Sequence, residues 1–285
     1  SSETGVAAVL LRLLDIQPEN IACTRGTALG LVLASVEVLC VLFAAAVGGT
    51  CVGLVSSRIP KESPIVSLLR PLATVTSVSA SLLMEKLLFK PRLNVKLPSS
   101  ISGFAALVCL LKGFGFVLQL ALQWLSGHWL MSAATLSVDG RLSPFRVAEV
   151  ILVVPIAEEV IFRGVLLRIL RLRCAPKSLA PLIVTSVIFA VAHLANHHAY
   201  SYRIFQLCMA LSNGMLFAAR AEATGLLHDS IAIHIVTNAV AAFFQPSVSI
   251  TSDAHLLGSA TVSLVGTLAL AMWDVTALRR RIARP

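Results

Sequence analysis

Long apolar runs separated by short polar connections are the main pattern of this 285-residue chain. A helix needs about 20 mostly apolar residues to cross the hydrocarbon core of a bilayer. The pattern predicts an all-α, polytopic transmembrane bundle of eight spans, with seven or nine as the alternatives. The second run is diluted by Arg70, and the fifth is barely long enough. The runs are 28–57, 66–89, 101–125, 147–170, 178–195, 204–221, 226–244 and 256–278.

The polar connections divide this predicted bundle into three parts. The longest connection, 126–146, reads as a loop or an interfacial element. We therefore predict an N-terminal transmembrane and connecting region at 1–146, a helical core at 147–245, and a C-terminal transmembrane helix with a basic tail at 246–285. No internal repeat and no low-complexity tract is visible, so a single membrane domain is the simplest interpretation.

Composition supports the membrane class. Hydrophobic residues make up 57% of the chain and charged residues 13%, against roughly 45–50% and about 25% in soluble domains. The net charge of +9 comes from short basic clusters between apolar runs, with no basic stripe of the kind that binds nucleic acid. The six cysteines form no CxxC pair, and we interpret them as core residues.

The basic clusters also predict the orientation in the bilayer. Lys and Arg concentrate in cytoplasmic loops, and with eight spans most of them fall on one side, including Arg279–Arg281. Both termini are then cytoplasmic. A bacterial plasma membrane is the predicted location, with a eukaryotic endomembrane as the alternative.

Several ionisable residues lie inside the apolar runs, where a charge costs several kcal/mol on the lower insertion scales. Glu37, Arg70, Lys112 and Asp274 each stand alone in a run. For these four, a structural ion pair or snorkelling towards the interface is the favoured interpretation.

The segment "AEEVIFR" is different, because it places three charges together in an apolar run. Glu159 and Arg163 are four apart and share one helix face, so they can form an ion pair. Glu158 is rotated by about 100° from Glu159 and points elsewhere. A packing salt bridge would explain Glu159 and Arg163 but leave Glu158 without a partner. A desolvated carboxylate tends towards a raised pKa, which suits a general base.

Two further segments supply groups that such a base needs. "FAVAH" ends in His193, and "HIVTN" places His234 and Asn238 one turn apart on one helix face. Hydrolysis of a peptide bond needs a polarised water, a base and hydrogen-bond donors for the oxyanion. Glu and His can supply the first two, and His with Asn can supply the donors.

These motifs resemble the CAAX prenyl endopeptidase and bacteriocin-processing family of intramembrane proteases, often called the Abi family. Its motifs EExxxR, FxxxH and HxxxN occur here in order as "EEVIFR", "FAVAH" and "HIVTN". The resemblance covers roughly 147–245 and implies a helical bundle around a water-filled cavity, with 147–245 as the catalytic core.

Each motif residue takes a role by this resemblance. Glu158 and His193 would activate the attacking water, and His234 and Asn238 would stabilise the oxyanion. Glu159 and Arg163 would shape the site electrostatically, with Phe189 packed beside it. Glu158, His193 and His234 would also make a two-histidine, one-carboxylate zinc set. No HExxH occurs, so metal-free, glutamate-dependent hydrolysis is favoured and zinc dependence is the alternative. The remaining histidines, His197, His198 and His228, are weaker candidates.

The function expected from the resemblance is an intramembrane endopeptidase. Its partners would be the lipid bilayer and a membrane-associated peptide or protein, either a prenylated CAAX protein, cut near its C-terminus, or another membrane peptide. The first alternative is a non-catalytic membrane scaffold or bacteriocin-immunity protein of the same fold. The second is a proton-coupled transporter, because intramembrane Glu and His also relay protons.

Overall fold

The computed structural model describes residues 28–56, 72–83, 101–126, 136–138, 141–174, 178–195, 200–243 and 254–283. Helices account for nearly all of these residues, so the all-α prediction is confirmed. By spatial contact the chain divides into two compact units: Ser1–Val95 with Val160–Pro181, and Lys96–Glu159 with Leu182–Pro285. This division does not test the predicted domain boundaries.

The elements of the described residues follow the predicted runs closely. Two π-helical stretches lie between the α-helices, at Glu149–Val153 and Val160–Leu166, and His193–Ala195 forms a 3-10 turn. Two strands of two residues each, β1 (Ser137–Val138) and β2 (Arg141–Leu142), pair antiparallel. The helices are α1 (Ala28–Ser56), α2 (72–83), α3 (Gly103–Ser126), α4 (Pro144–Ala148), α5 (Val154–Glu159), α6 (Leu167–Arg173), α7 (Ala180–Ala192), α8 (Tyr200–Thr224), α9 (His228–Phe243) and α10 (Ala254–Ala283).

In the first unit, α1 is held to α6 by a buried ion pair. Arg173 donates from Nε to Oε2 of Glu37 at 3.1 Å and from Nη2 to Oε1. The two-pronged geometry matches a guanidinium to a carboxylate. This pair confirms the structural interpretation of Glu37.

The second unit is built around α9. This helix packs against α3, α5, α8 and the π-helical stretch Glu149–Val153, while α10 packs on α8. At Gly214 on α8, an added Cβ would lie 3.2 Å from the Cα of Ser186 and 3.3 Å from the Cδ1 of Phe189 on α7.

A three-residue turn reverses the chain between α8 and α9. Gly225 has a φ of 68°, a left-handed conformation that glycine adopts without the steric cost of a Cβ. Its N–H donates to the carbonyl of Ala221 at 2.9 Å, which satisfies one of the last carbonyls of α8. So short a turn makes α8 and α9 antiparallel neighbours.

Buried charges fasten the ends of α8, α9 and α10 together. Arg220 on α8 donates to Oδ1 of Asp274 on α10 at 2.8 Å and to Oδ2 of Asp229 on α9 at 3.4 Å. Asp229 also accepts from the backbone N–H of Ser102 at 3.0 Å. All three charged residues are at most 8% exposed, so Asp274 also has the structural ion pair that was predicted for it.

Two of the described helical segments are long and apolar enough to cross a membrane by length and composition, Arg203–Thr224 and Thr261–Arg280. Shorter apolar helices occupy other predicted runs. The outer face of α10 is strongly apolar, with Val262 and Trp273 both more than 70% exposed, as is typical of a lipid-facing surface. The count of eight spans stays a prediction.

None of the four cysteines whose side chains the structure describes forms a disulfide. Cys174 is buried, and Cys40 and Cys109 are half-buried, in line with their interpretation as packing residues. Cys208 on α8 is exposed, so the core interpretation is wrong for that residue.

Candidate active site

The centre of the candidate site is a buried pair between Glu159 and His234. Nδ1 of His234 lies 2.8 Å from Oε1 of Glu159. The glutamate side chain is fully buried and the histidine is 3% exposed. When Glu159 is ionised, its carboxylate can only accept a hydrogen bond. Nδ1 of His234 then carries the proton and donates that hydrogen bond. Glu159 therefore fixes both the tautomer and the ring orientation of His234.

The other ring nitrogen of the same histidine faces Glu158. Nε2 of His234 lies 3.4 Å from Oε2 of Glu158, whose side chain is 28% exposed. Glu158, which has no partner in the sequence-based interpretation, thus shares His234 with Glu159. The 100° rotation between consecutive residues lets the two carboxylates reach opposite sides of one imidazole. The more accessible of the two is Glu158.

Aromatic rings hold this imidazole from the sides. Phe217 on α8 stacks on His234 with ring centroids 4.7 Å apart, and Phe189 on α7 meets it edge-on at 5.8 Å. Phe189 also contacts the ring of His193 at 4.6 Å. The two histidines predicted for the site therefore flank one phenylalanine, which confirms that Phe189 packs at the site.

His193 stands at the end of α7, in the first position of the 3-10 turn. Its Nδ1 lies 2.8 Å from the carbonyl of Phe189. A carbonyl only accepts, so Nδ1 carries the proton, and the neutral imidazole keeps a lone pair on Nε2. That nitrogen is able to accept a proton from a water molecule. A direct contact between His193 and Glu158 stays a prediction.

Asn238 lies one turn beyond His234 on α9 and faces the protein. Its Nδ2 donates to the carbonyl of Val150 at 3.2 Å. Val150 lies in the π-helical stretch Glu149–Val153, and such a stretch interrupts the regular α-helical ladder, often at functional sites. The second hydrogen on Nδ2 remains available for a further acceptor. Asn238 thus ties the site to the helix that leads into the two glutamates.

The remaining candidates lie elsewhere or outside the described residues. Arg163 is 4% exposed and belongs to the first compact unit, so its predicted pairing with Glu159 stays a prediction. His228 opens α9 and contacts Asp229 at 3.0 Å, away from His234. His197 and His198 lie outside the described residues, as does Arg70.

The donor geometry also bears on the predicted zinc set. Among the described residues, no three side chains of His, Cys, Asp or Glu come together as a group that could hold a metal ion. Both ring nitrogens of His234 already face carboxylates. The zinc set of Glu158, His193 and His234 therefore stays a prediction.

Sequence reasoning missed two features of the site. Phe217, which stacks on His234, lies in an apolar helix where a phenylalanine gives no signal of its own. The shared use of His234 by both glutamates was missed because 75 residues separate Glu159 from His234. Only the four-residue spacing of His234 and Asn238 hinted at a common helix face.

Together, the apolar helices and a buried histidine held between two glutamates form a candidate hydrolytic centre in an all-helical fold. Residues 141–240, which include all three motifs, match the family model described as type II CAAX prenyl endopeptidase Rce1-like. This match confirms the resemblance predicted from the motifs. The match covers about a third of the chain, and the family that it describes is one of integral membrane proteases. No curated protein and no solved structure matches the chain.

Proposed function

We propose that this protein is an intramembrane endopeptidase that hydrolyses a peptide bond with a water molecule activated by Glu158 and His193. The observation that carries the proposal is the position of His234, with Nδ1 on the buried Glu159 and Nε2 facing the more accessible Glu158. A packing ion pair needs one carboxylate. A hydrolytic centre uses two, one to orient the histidine and one to move protons.

In the proposed reaction, Glu158 takes a proton from the attacking water. At the same time the oxygen of that water forms a bond to the scissile carbonyl carbon. The lone pair on Nε2 of His193 accepts a hydrogen bond from the same water and positions it. The proton held by Glu158 then passes to the leaving amine as the carbon–nitrogen bond breaks. One water is consumed, and a carboxylate and an amine are released.

His234 and Asn238 are proposed to supply the donors for the oxyanion of the tetrahedral intermediate. His234 does so from Nε2 in its doubly protonated form, because Nδ1 already donates to Glu159. Glu159 holds the ring of His234 in place, and the carbonyl of Val150 holds the amide of Asn238. Donors fixed before the reaction stabilise developing charge without reorganising, and a single such donor is typically worth about 2.7–4 kcal/mol. Arg163 keeps the electrostatic role that the resemblance implies for it.

The proposed substrates are membrane-associated peptides or proteins. The description of the matched family favours a prenylated CAAX protein, cleaved near its C-terminus, and other membrane peptides are the alternative. Both termini are proposed to face the cytoplasm, in a bacterial plasma membrane or, as the alternative, a eukaryotic endomembrane.

The test is cleavage by the purified full chain in liposomes, with a farnesylated peptide ending in a CAAX sequence and the same peptide without the lipid. Wild type is compared with Glu158→Ala and His193→Ala. Glu222→Ala is the matched control, because Glu222 is a half-exposed carboxylate near the end of α8. We expect the first two variants to lose cleavage by about 10²-fold or more and the control to retain it.

The outcomes separate the peptidase from the scaffold and the transporter. If Glu158→Ala and His193→Ala support every cellular function of wild type, the protein acts as a scaffold or immunity protein. Uptake driven by a pH gradient without cleavage of any peptide would indicate a transporter. Adding a chelator tests the zinc alternative, since a metal-free site keeps full activity.

A further inference from the structure

Lys112 differs from the other isolated charges of the apolar runs. Glu37 pairs with Arg173 and Asp274 with Arg220. Lys112 lies in the middle of α3, and its Nζ donates to the amide oxygen of Asn213 on α8 at 3.2 Å. Within the part of the chain that the structure describes, no carboxylate pairs with this ammonium. A neutral amide does not compensate a cation in an apolar helix bundle.

The position of Asn213 connects this ammonium to the candidate active site. Asn213 is 6% exposed and lies four residues before Phe217, so both side chains are on one face of α8. Phe217 stacks on His234. The next residue after Asn213, Gly214, lies against Phe189, which contacts both site histidines. Lys112 is therefore on the order of 10–15 Å from the imidazole of His234.

The level of Lys112 along the bundle agrees with this estimate. Ser102, just before α3, contacts Asp229, near the start of α9, and the two helices pack against each other. Each helix rises about 1.5 Å per residue. Lys112 is ten residues beyond Ser102 and Asn238 is nine residues beyond Asp229. The ammonium thus lies near the height of Asn238.

We propose that Lys112 binds the free C-terminal carboxylate of the peptide substrate, about three or four residues beyond the bond that is cut. This inference rests on the proposed peptidase function. An extended peptide advances about 3.3–3.6 Å per residue, so three or four residues cover the distance from the site to the ammonium. A carboxylate supplies the missing negative charge, and Asn213 holds the ammonium in place when the substrate is absent.

The test compares two farnesylated CAAX peptides that differ only at the C-terminus, one ending in a carboxylate and one in an amide. The enzymes are wild type, Lys112→Gln, Lys112→Arg and the control Arg203→Gln, which removes an exposed cation from α8. We expect wild type and Arg203→Gln to prefer the carboxylate by about 10–100-fold in kcat/KM, as for a charge-assisted hydrogen bond. Lys112→Gln should cleave both peptides at the rate that wild type shows with the amide. Lys112→Arg should keep part of the preference.

Each outcome of this test either supports or overturns the carboxylate site at Lys112. Equal cleavage of the two peptides by wild type overturns the carboxylate site but leaves the peptidase intact. Loss of both activities in Lys112→Gln, restored equally by Lys112→Arg, shows a purely structural lysine and also overturns it. Absence of cleavage of either peptide by wild type refutes the proposed peptidase action on CAAX substrates instead. If anionic lipid vesicles abolish the preference where neutral vesicles preserve it, the ammonium binds a lipid phosphate, which contradicts the proposal.

Discussion

His234 contacts a carboxylate with each of its ring nitrogens, yet the two carboxylates differ in their access to water. Glu159 is fully buried, whereas the side chain of Glu158 is 28% exposed. Burial makes Glu159 suited to fixing the ring, because its hydrogen bond to Nδ1 does not compete with water. Because the side chain of Glu158 is partly exposed, water can reach its carboxylate.

Glu159→Gln tests this division of roles. The amide keeps the size of the side chain but replaces a charge-assisted hydrogen bond with a neutral one, a loss of roughly 1–1.5 kcal/mol. We expect kcat to fall by about 10-fold with KM little changed. Steady-state kinetics of peptide cleavage measure both constants, and Glu222→Gln is the control. A rise in KM at unchanged kcat would assign Glu159 to substrate binding.

Asn238→Asp tests the bond to the π-helical stretch. A carboxylate cannot donate to the carbonyl of Val150, which then loses its side-chain partner. We expect a loss of about 1–3 kcal/mol in the free energy of unfolding, together with a loss of cleavage. Thermal unfolding in detergent checks the first effect. An unchanged melting temperature would mean that the bond does not stabilise the fold.

The sequence predicted the chemical residues better than their contacts. Glu158, His193, His234 and Asn238 are recognisable because a polar side chain in an apolar run is costly and therefore informative. The contact of Glu158 and Glu159 with the ring of His234 is a long-range event that no local periodicity encodes. Phe217 shows the opposite case, since an aromatic residue in an apolar helix is indistinguishable from ordinary core.

Helix packing at the site depends on a close approach between α7 and α8. Gly214 leaves no room for a Cβ beside Ser186 and Phe189, and small residues permit such approaches between apolar helices. Helix existence was predictable from apolar run length, because the runs and the observed helices nearly coincide. The π-helical stretches near the glutamates were not predictable from the sequence, because they follow from packing.

Gly214→Ala should therefore disturb the site without touching a polar group. The added methyl forces Phe189 or Ser186 to move, at a cost of about 1–3 kcal/mol. We expect a lower unfolding temperature and reduced cleavage. Gly266→Ala on α10 is the control, because nothing lies within 4 Å of the Cβ that it adds. Equal behaviour of the two variants would show that the α7–α8 contact is loose.

Across the second unit, the charges around Arg220 connect α3, α8, α9 and α10 through Ser102, Asp229 and Asp274. Breaking a buried pair leaves an uncompensated charge and typically costs about 3–5 kcal/mol. We expect Asp274→Ala to lower the free energy of unfolding by that order in detergent. Arg279→Ala, which removes an exposed charge from the same helix, should have little effect. Similar losses from both variants would argue against a specific network.

The membrane topology is a prediction for the whole chain. Eight spans place both termini on the cytoplasmic side, which reporter fusions at each end would measure. A reporter signal from opposite sides would mean seven or nine spans. Mapping of the spans is best started at two segments, Arg203–Thr224 and Thr261–Arg280. The shorter apolar helices cannot be assigned as spans from their length alone.

The turn at Gly225 bears on the order in which the molecule is assembled. A three-residue reversal lets α8 and α9 associate as a hairpin as soon as both have been synthesised, and contacts between segments close in sequence form fastest. Phe217 and His234 lie within this hairpin, so we expect their stacking to form early in folding. We expect the contact between Glu159 and His234, which spans 75 residues, to form later.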